Sequence, residues 1–274
     1  MSNAASNFWS NHKGYAANWF QFCAPYIWER ISGDVKVAPT IWGLSTAGWP
    51  DSVLEIGCLD GASLAALVQK GRVKHGAGVD IAEGAIARGR EKYPFLDLRV
   101  MDLNHPELPV NTYGAILSQG VLHHIENLET CVHALHAALK PGGWLIGGDF
   151  TGPRRYEYSE DEIALIHEGQ SMLPEELRGE PFHPDQLASK LRNDPSESIS
   201  TTIIVPTLRT VFHRVIERRY GGNVLMRALT KTFFRNFDAA NPEHVAAIER
   251  LQEFDREVSQ EYSHHTYCLS QKAG

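Results

Sequence analysis

The chain has 274 residues, 43% hydrophobic and 22% charged, with a formal net charge of −7. It is long enough to bury one large core, and it lacks the basic footprint expected of a nucleic-acid binder. No stretch is apolar enough to span a bilayer, and the four cysteines, Cys23, Cys58, Cys131 and Cys268, show no CxxC spacing. That excludes a disulfide frame or a thiolate zinc site as the organising feature and fits a reducing compartment. The opening MSNAASNFWS has neither the basic nor the apolar region of a secretory signal, so a cytoplasmic setting is expected.

In chain order, residues 1–50 are rich in aromatics. Tyr15, Trp19, Phe22 and Tyr26 recur three or four apart and predict an amphipathic helix. Such a helix either caps the core or forms a lid that sets Tyr15 or Trp19 against a bound cofactor. Ser52 to Ile56 is a short apolar run bounded by Pro50-Asp51 and Gly57, the pattern of a buried strand. After the turn Gly57-Cys58-Leu59-Asp60-Gly61, Ala62 to Lys70 predicts a helix that packs through Leu64, Leu67 and Val68. Gly78-Val79-Asp80 then ends a second strand in an acid, whose carboxylate can accept two hydrogen bonds from a ribose diol. These segments alone point to a nucleotide or nucleoside cofactor.

The glycine spacing is not the G-x-G-x-x-G of a phosphate cradle. With Glu55 two residues before Gly57, it resembles motif I of the class I S-adenosylmethionine-dependent methyltransferases, [D/E]-x-G-x-G-x-G, with Leu59 in place of the middle glycine. The resemblance continues in order. Gly78-Val79-Asp80-Ile81 is similar to the family's second-strand end. Met101-Asp102-Leu103 is similar to the third-strand end, where an Asp receives the adenine amino group. Ala115 to Val121, followed by Leu122-His123-His124-Ile125, resembles the fourth strand and its exit, and Leu139-Lys140-Pro141-Gly142-Gly143 the turn into the fifth. It covers the central third of the chain. It implies an α/β fold with a seven-stranded, mostly parallel Rossmann-like sheet and helices on both faces. It also implies S-adenosylmethionine as cofactor, held by Glu55, Gly57, Cys58, Gly61, Asp80, Ile81, Asp102, Leu103, Ser118 and Gln119, with Tyr15 as a possible cover. Leu59 either turns away and leaves the turn intact or crowds the methionine portion of the cofactor.

Beyond strand five the alternation breaks. From Gly152 to about Leu208, Pro174, Pro181, Pro184, Pro195 and Pro206 punctuate short helical pieces, as expected of a substrate cover inserted near the carboxyl ends of the strands. Thr210 to Arg218 reads as strand six. Asn241-Pro242-Glu243 starts a helix with Val245, Ile248, Leu251, Phe254 and Val258 on its apolar face. His264 to Gln271 is the expected seventh strand, antiparallel by the resemblance. The chain therefore reads as one domain, 1–274: an N-terminal helical cap (1–50), a cofactor-binding core (51–151), a substrate-cover insertion after strand five (152–208) and a completion of the sheet (209–274).

Methyl transfer needs alignment of a nucleophile with an activated carbon, and a base only where the nucleophile is protonated. Candidate catalytic residues are His123 and His124 after strand four, His183 in the cover, and Tyr156, whose ring either faces the sulfonium or anchors a loop. Arg154 and Arg155 either recognise an acidic acceptor or lie on the surface. No metal is expected: His133 and His136 share a stripe with Glu129 and Lys140 that reads as a solvated helix face. His264 and His265 would point to opposite faces of a strand. The expected activity is transfer of a methyl group to O or N of a small-molecule acceptor, with no nucleic-acid or membrane partner and no signal for an oligomeric state. The alternatives are attack on the aminocarboxypropyl carbon with release of methylthioadenosine, and a non-catalytic S-adenosylmethionine-binding module.

Overall fold

The computed structural model describes residues 17–274, with side chains described from Cys23 onward. Tyr15 lies outside the described residues, as do the side chains of Trp19 and Phe22, so the lid arrangement of those aromatics falls outside them too. The elements, in chain order, begin with helices α1 (Ala17–Ser32) and α2 (Pro39–Thr46). The core follows as β1 (Ser52–Ile56), α3 (Ala62–Gln69), β2 (His75–Asp80), α4 (Glu83–Lys92), β3 (Asp97–Val100), β4 (Tyr113–Gln119), α5 (Leu128–Ala138) and β5 (Leu139–Phe150). The cover carries α6 (Glu160–Ser171), α7 (Ala188–Asn193) and α8 (Ile204–Val211); then come β6 (Arg214–Arg219), α9 (Asn223–Ala228), α10 (Lys231–Asn236), α11 (Pro242–Val258) and β7 (His265–Gln271).

The strands form one seven-stranded sheet in the order β3-β2-β1-β4-β5-β7-β6. All neighbours are parallel except β7, which runs antiparallel to β5 and β6. This is the α/β arrangement expected. β1 and β4 are apolar runs because both their faces are covered. On one face, Leu64 and Leu67 of α3 and Ile86 of α4 join Ile27 and Ile31 of α1 and Leu251 of α11. On the other, Leu128, Val132 and Leu135 of α5 pack with Ile204 and Leu208 of α8. The cover adds a small core of its own from Phe150, Tyr156, Tyr158, Ile166 and Phe182. All four cysteines are buried free thiols. Among the described residues, no helix is long and apolar enough to cross a membrane.

Two sequence expectations are corrected. Strand six begins at Arg214, not Thr210, because Ile204, Leu208 and Phe212 recur every fourth residue and bury on α5, extending the helix to Val211. Val245, expected on the apolar face of α11, is 36% exposed; the buried face instead uses His244, Ala247, Ile248, Leu251, Asp255 and Val258. The Asn241 cap is present, its side-chain oxygen accepting the Glu243 N–H at 2.9 Å.

Asp255 is fully buried and explains how α1 docks. Its carboxylate accepts from the Tyr26 hydroxyl (2.9 Å) and from the Gly222 and Leu225 N–H groups (3.0 Å each). Three separate segments thus converge on one charge. Tyr26→Phe is expected to cost about 1.5–3 kcal/mol, the worth of a hydrogen bond to a buried charge. Urea unfolding would measure it, and an unchanged midpoint would show that α1 is held by its apolar face alone.

Candidate active site

The glycine turn after β1 is held in shape by β2. Gly57, Leu59 and Gly61 all have left-handed backbones, with φ of 64°, 50° and 74°. The Gly57 and Cys58 N–H groups donate to the Val79 carbonyl at 2.8 and 3.2 Å. The Leu59 N–H donates to Asp80 Oδ2 at 2.8 Å, and the Ala82 N–H to Asp80 Oδ1 at 2.8 Å. Leu59 thus keeps the turn that a glycine would form, at a conformational cost of about 1–2 kcal/mol. Gly57 has no such freedom to vary: a Cβ there would lie 2.3 Å from Val121 Cγ2. The same contact seats the turn after β4 directly against the glycine turn.

Around this turn, several polar groups are buried with capacity to spare. Glu55 is 7% exposed and its Oε2 finds no hydrogen-bond partner among the described residues; the same holds for Ser118 Oγ. Burial pushes the Glu55 carboxyl up to about 8, and burial also raises Asp80 despite its backbone donors. The Leu59 and Ala82 N–H groups thus reach one Asp80 oxygen each, and the Ile81 N–H adds a third backbone contact to the carboxylate. Cys58 is buried, Ile81 half-buried and Leu103 buried. Asp102 Oδ1 accepts from the Asn104 backbone N–H (2.9 Å) and side-chain amide (3.0 Å). Asn104 Oδ1 in turn accepts from the Glu126 and Asn127 N–H groups, tying the end of β3 to the start of α5. Gln119 is exposed and its amide reaches Thr40 Oγ1 of α2 at 3.5 Å.

The candidate catalytic residues separate. His123 and His124 occupy a single 3₁₀ turn, Leu122–His124, and both are buried. His123 Nδ1 meets Asp149 Oδ1 at 2.5 Å, and its Nε2 lies 3.4 Å from Glu197 Oε1. Burial alone would lower the His123 imidazole, but the Asp149 and Glu197 carboxylates outweigh it and push it up to about 9. His124, buried beside the His123 charge, is pushed down to about 4. Burial raises Glu197, yet His123 and Lys190 hold its carboxyl well below the ordinary range.

Tyr156 belongs to this cluster. Its hydroxyl donates to Glu197 Oε1 and accepts from Lys190 Nζ, both at 2.7 Å. Lys190 and Arg227 each lie 5.2 Å from its ring centroid, so of the two placements left open by the sequence, ring toward a sulfonium or loop anchor, these contacts favour the anchor. Arg155 donates to the Pro195 and Glu197 carbonyls and so braces the cover. His183 stands apart: its side chain is 66% exposed and pairs with Asp185. His264 is buried and pairs with Glu162, while His265 bonds the Gly221 carbonyl. His133 is exposed and His136 half-buried against Phe212, on the helix face expected of them.

Sequence reasoning missed Asn104, Asp149, Lys190, Asp194 and Glu197. Asp149 could have been found, because an acid at the carboxyl end of a central parallel strand faces the ligand crevice. Glu197 had no such signal. It arrives on the loop 194–200, which is stitched down by the Ile199 and Ser200 N–H groups donating to the His123 carbonyl (3.0 and 3.3 Å).

A family model described as a methyltransferase domain matches residues 54–147. Uncharacterized methyltransferases of Mycobacterium tuberculosis and Mycobacterium bovis are 32% identical over 103 residues, 37% of this chain and 51% of theirs. The chain therefore matches about half the length of these curated relatives. Among solved structures, an S-adenosylmethionine-dependent methyltransferase from Mesorhizobium loti superposes with a TM-score of 0.51 at 15% identity, covering 86% of this chain and 98% of that one. A Haemonchus contortus phosphoethanolamine N-methyltransferase, solved with phosphomonomethylethanolamine and S-adenosylhomocysteine, superposes with a TM-score of 0.52 at 14% identity, covering 100% of this chain and 61% of that one. At such identities the likeness is one of fold.

Since the Tyr156 hydroxyl sits between Glu197 and Lys190, Tyr156→Phe is expected to destabilise the protein by about 1–3 kcal/mol through loss of one hydrogen bond to a buried carboxylate that keeps its Ser198 and Lys190 partners. Chemical denaturation would measure this. A loss confined to Tyr156→Ala, with Phe neutral, would show that the ring and not the hydroxyl carries the contact.

Proposed function

The chain belongs, through residues 54–147, to the class I S-adenosylmethionine-dependent methyltransferase family, and on that premise we propose that it transfers a methyl group to O or N of a small-molecule acceptor. The observation that carries the reading is the Asp80 carboxylate laced to the Leu59 and Ala82 N–H groups, which preforms the turn next to two buried polar atoms without partners among the described residues, Glu55 Oε2 and Ser118 Oγ. That donor and acceptor set fits a neutral ribose and an aminoacyl tail better than a phosphate.

Bound there, S-adenosylmethionine supplies a methyl carbon activated by its sulfonium, so alignment and exclusion of water are the protein's main tasks. Asp80 would accept from the ribose diol at the end of the second strand. Asp102 and Leu103 would flank the adenine, and Ser118 and Gln119 the aminoacyl end. Gly57, Cys58 and Gly61 would bring backbone close to the cofactor, with Ile81 beside the ribose. The acceptor would lie under the cover, against the His123–His124 turn. The net charge of −7 favours a small acceptor over a polyanion, and the Haemonchus contortus enzyme of this fold was solved with a small acceptor. The left-handed Leu59 keeps the turn's shape, so nothing in the turn favours attack on the aminocarboxypropyl carbon.

The direct test is incubation with S-adenosylmethionine, with and without a small-metabolite extract, and mass spectrometry of the nucleoside products. S-Adenosylhomocysteine that appears only with extract is the expected result; methylthioadenosine above the no-enzyme blank would overturn the methyl assignment. Asp80→Ala is expected to weaken S-adenosylmethionine binding roughly a hundredfold, since charge-assisted hydrogen bonds are worth about 1.5–3 kcal/mol each. Unchanged affinity by calorimetry, in a variant that still folds, would remove Asp80 from the cofactor site.

A further inference from the structure

Two adjacent imidazoles and a carboxylate converge beneath the cover. The His123 and His124 rings lie 4.0 Å apart between centroids. His123 Nε2 is 3.4 Å from Glu197 Oε1, and His124 Nε2 is 4.0 Å from Glu197 Oε2. Both are ion-pair separations, the first at the long end of an N–H···O bond. They are close to the spacing of about 3.3 Å between two ligands on one small cation with bonds near 2.0–2.1 Å. One ligand atom from each of the three residues lies within 4.8 Å of the others, and all three residues are buried. From these contacts we infer that His123, His124 and Glu197 form a binding site for a divalent first-row transition ion, the two histidines and one carboxylate acting as its protein ligands.

The outer contacts carry the inference further than the three ligands alone. A metal-bound histidine commonly gives its other ring nitrogen to a carboxylate or hydroxyl, which fixes the ring and its tautomer. Both rings do so here. His123 Nδ1 meets Asp149 Oδ1 at 2.5 Å. His124 Nδ1 meets Ser196 Oγ at 3.2 Å and lies 3.4 Å from Asp194 Oδ2. Ser196 is itself fixed, its hydroxyl donating to Asp194 Oδ1 at 2.5 Å. The arrangement thus has two ring nitrogens turned outward to anchors and two turned inward to one carboxylate. A ligand set of two imidazoles and a carboxylate suits zinc, cobalt, iron or manganese and leaves coordination positions open.

One cation already stands beside the cluster. Lys190 Nζ is 3.1 Å from Glu197 Oε2, and its side chain is 44% exposed. It can therefore withdraw toward solvent and release that oxygen, which makes it a competitor for the ion and the gate on its path. On the reading given above, the site sits at the carboxyl ends of β4 and β5 where the acceptor would lie, and an ion there would make an acceptor hydroxyl more acidic. Only that role rests on the methyltransferase reading; the site stands without it.

The test is a titration of the full chain, freed of metal with chelator and desalted, with Co²⁺ followed by visible absorption and with Zn²⁺ by calorimetry. One equivalent bound is expected, with Glu197→Gln and His124→Ala each weakening it tenfold or more and Lys190→Met strengthening it. His133→Ala/His136→Ala should leave it unchanged, which separates the buried site from a surface pair. Folding of each variant is checked by circular dichroism and by S-adenosylmethionine binding. No saturable binding below millimolar metal, or binding indifferent to Glu197→Gln, would overturn the site. The cofactor calorimetry separates the two claims: metal bound without S-adenosylmethionine would sink the methyltransferase reading alone, and the reverse would sink the metal site alone.

Discussion

The Asp149 carboxylate is the constraint on which the ligand end of the sheet depends. As the chain leaves β4 it crosses the end of β5, where its N–H groups have no strand to pair with. Asp149 collects them. It accepts from Val121 (3.1 Å), Leu122 (2.8 Å) and its own neighbour Phe150 (2.9 Å), and also holds the His123 ring. A buried N–H left unpaired costs about 1–3 kcal/mol, so this single side chain turns an unfavourable crossing into a rigid one. With His123 fixed, its carbonyl becomes the anchor for the loop 194–200, and that loop carries Glu197 back over the ring.

Asp80 performs the corresponding task at the end of β2. There the carboxylate holds the glycine turn, and the two turns touch where Val121 meets Gly57. Glycine turn and histidine turn are therefore parts of one braced surface, each tied by an acid at a strand end. The cover inherits its position from both, first through backbone bonds to His123 and then through the Glu197–Tyr156–Lys190 contacts. It is docked by charge as much as by its small apolar core. That matters because Asp149 and Glu197 are buried, and a buried ion is favourable only while its partners stay in place.

How much of this was legible in the sequence varied with the kind of signal. β1, the glycine turn and the acid of β2 could be read because each is local: an apolar run, residues that tolerate left-handed backbone, and a carboxylate where the strand stops. The start of β6 misled because Thr210 and Val211 are β-branched and look strand-like, whereas the fourfold spacing of Ile204, Leu208 and Phe212 against α5 decides for helix. For Tyr156 the sequence left two placements open, ring toward a cofactor charge or loop anchor, because residue type says nothing of neighbours; Lys190 and Arg227 lie against the ring. Glu197 was unreadable for the same reason. Nothing in its local sequence says that a loop more than seventy residues beyond His123 will fold back onto it.

The four buried thiols give the fold an internal set of reporters. Burial pushes Cys23, Cys131 and Cys268 up to about 12 and raises Cys58 as well, so the nucleophilic thiolate is scarce in the closed protein. Each sits in a different part of the architecture: the N-terminal helix, the glycine turn, the helix behind the sheet and the antiparallel strand. Alkylation at each sulfur would therefore proceed through a separate local opening, and the relative labelling rates would rank how firmly the N-terminal helix, the turn, the back layer and the antiparallel strand are closed.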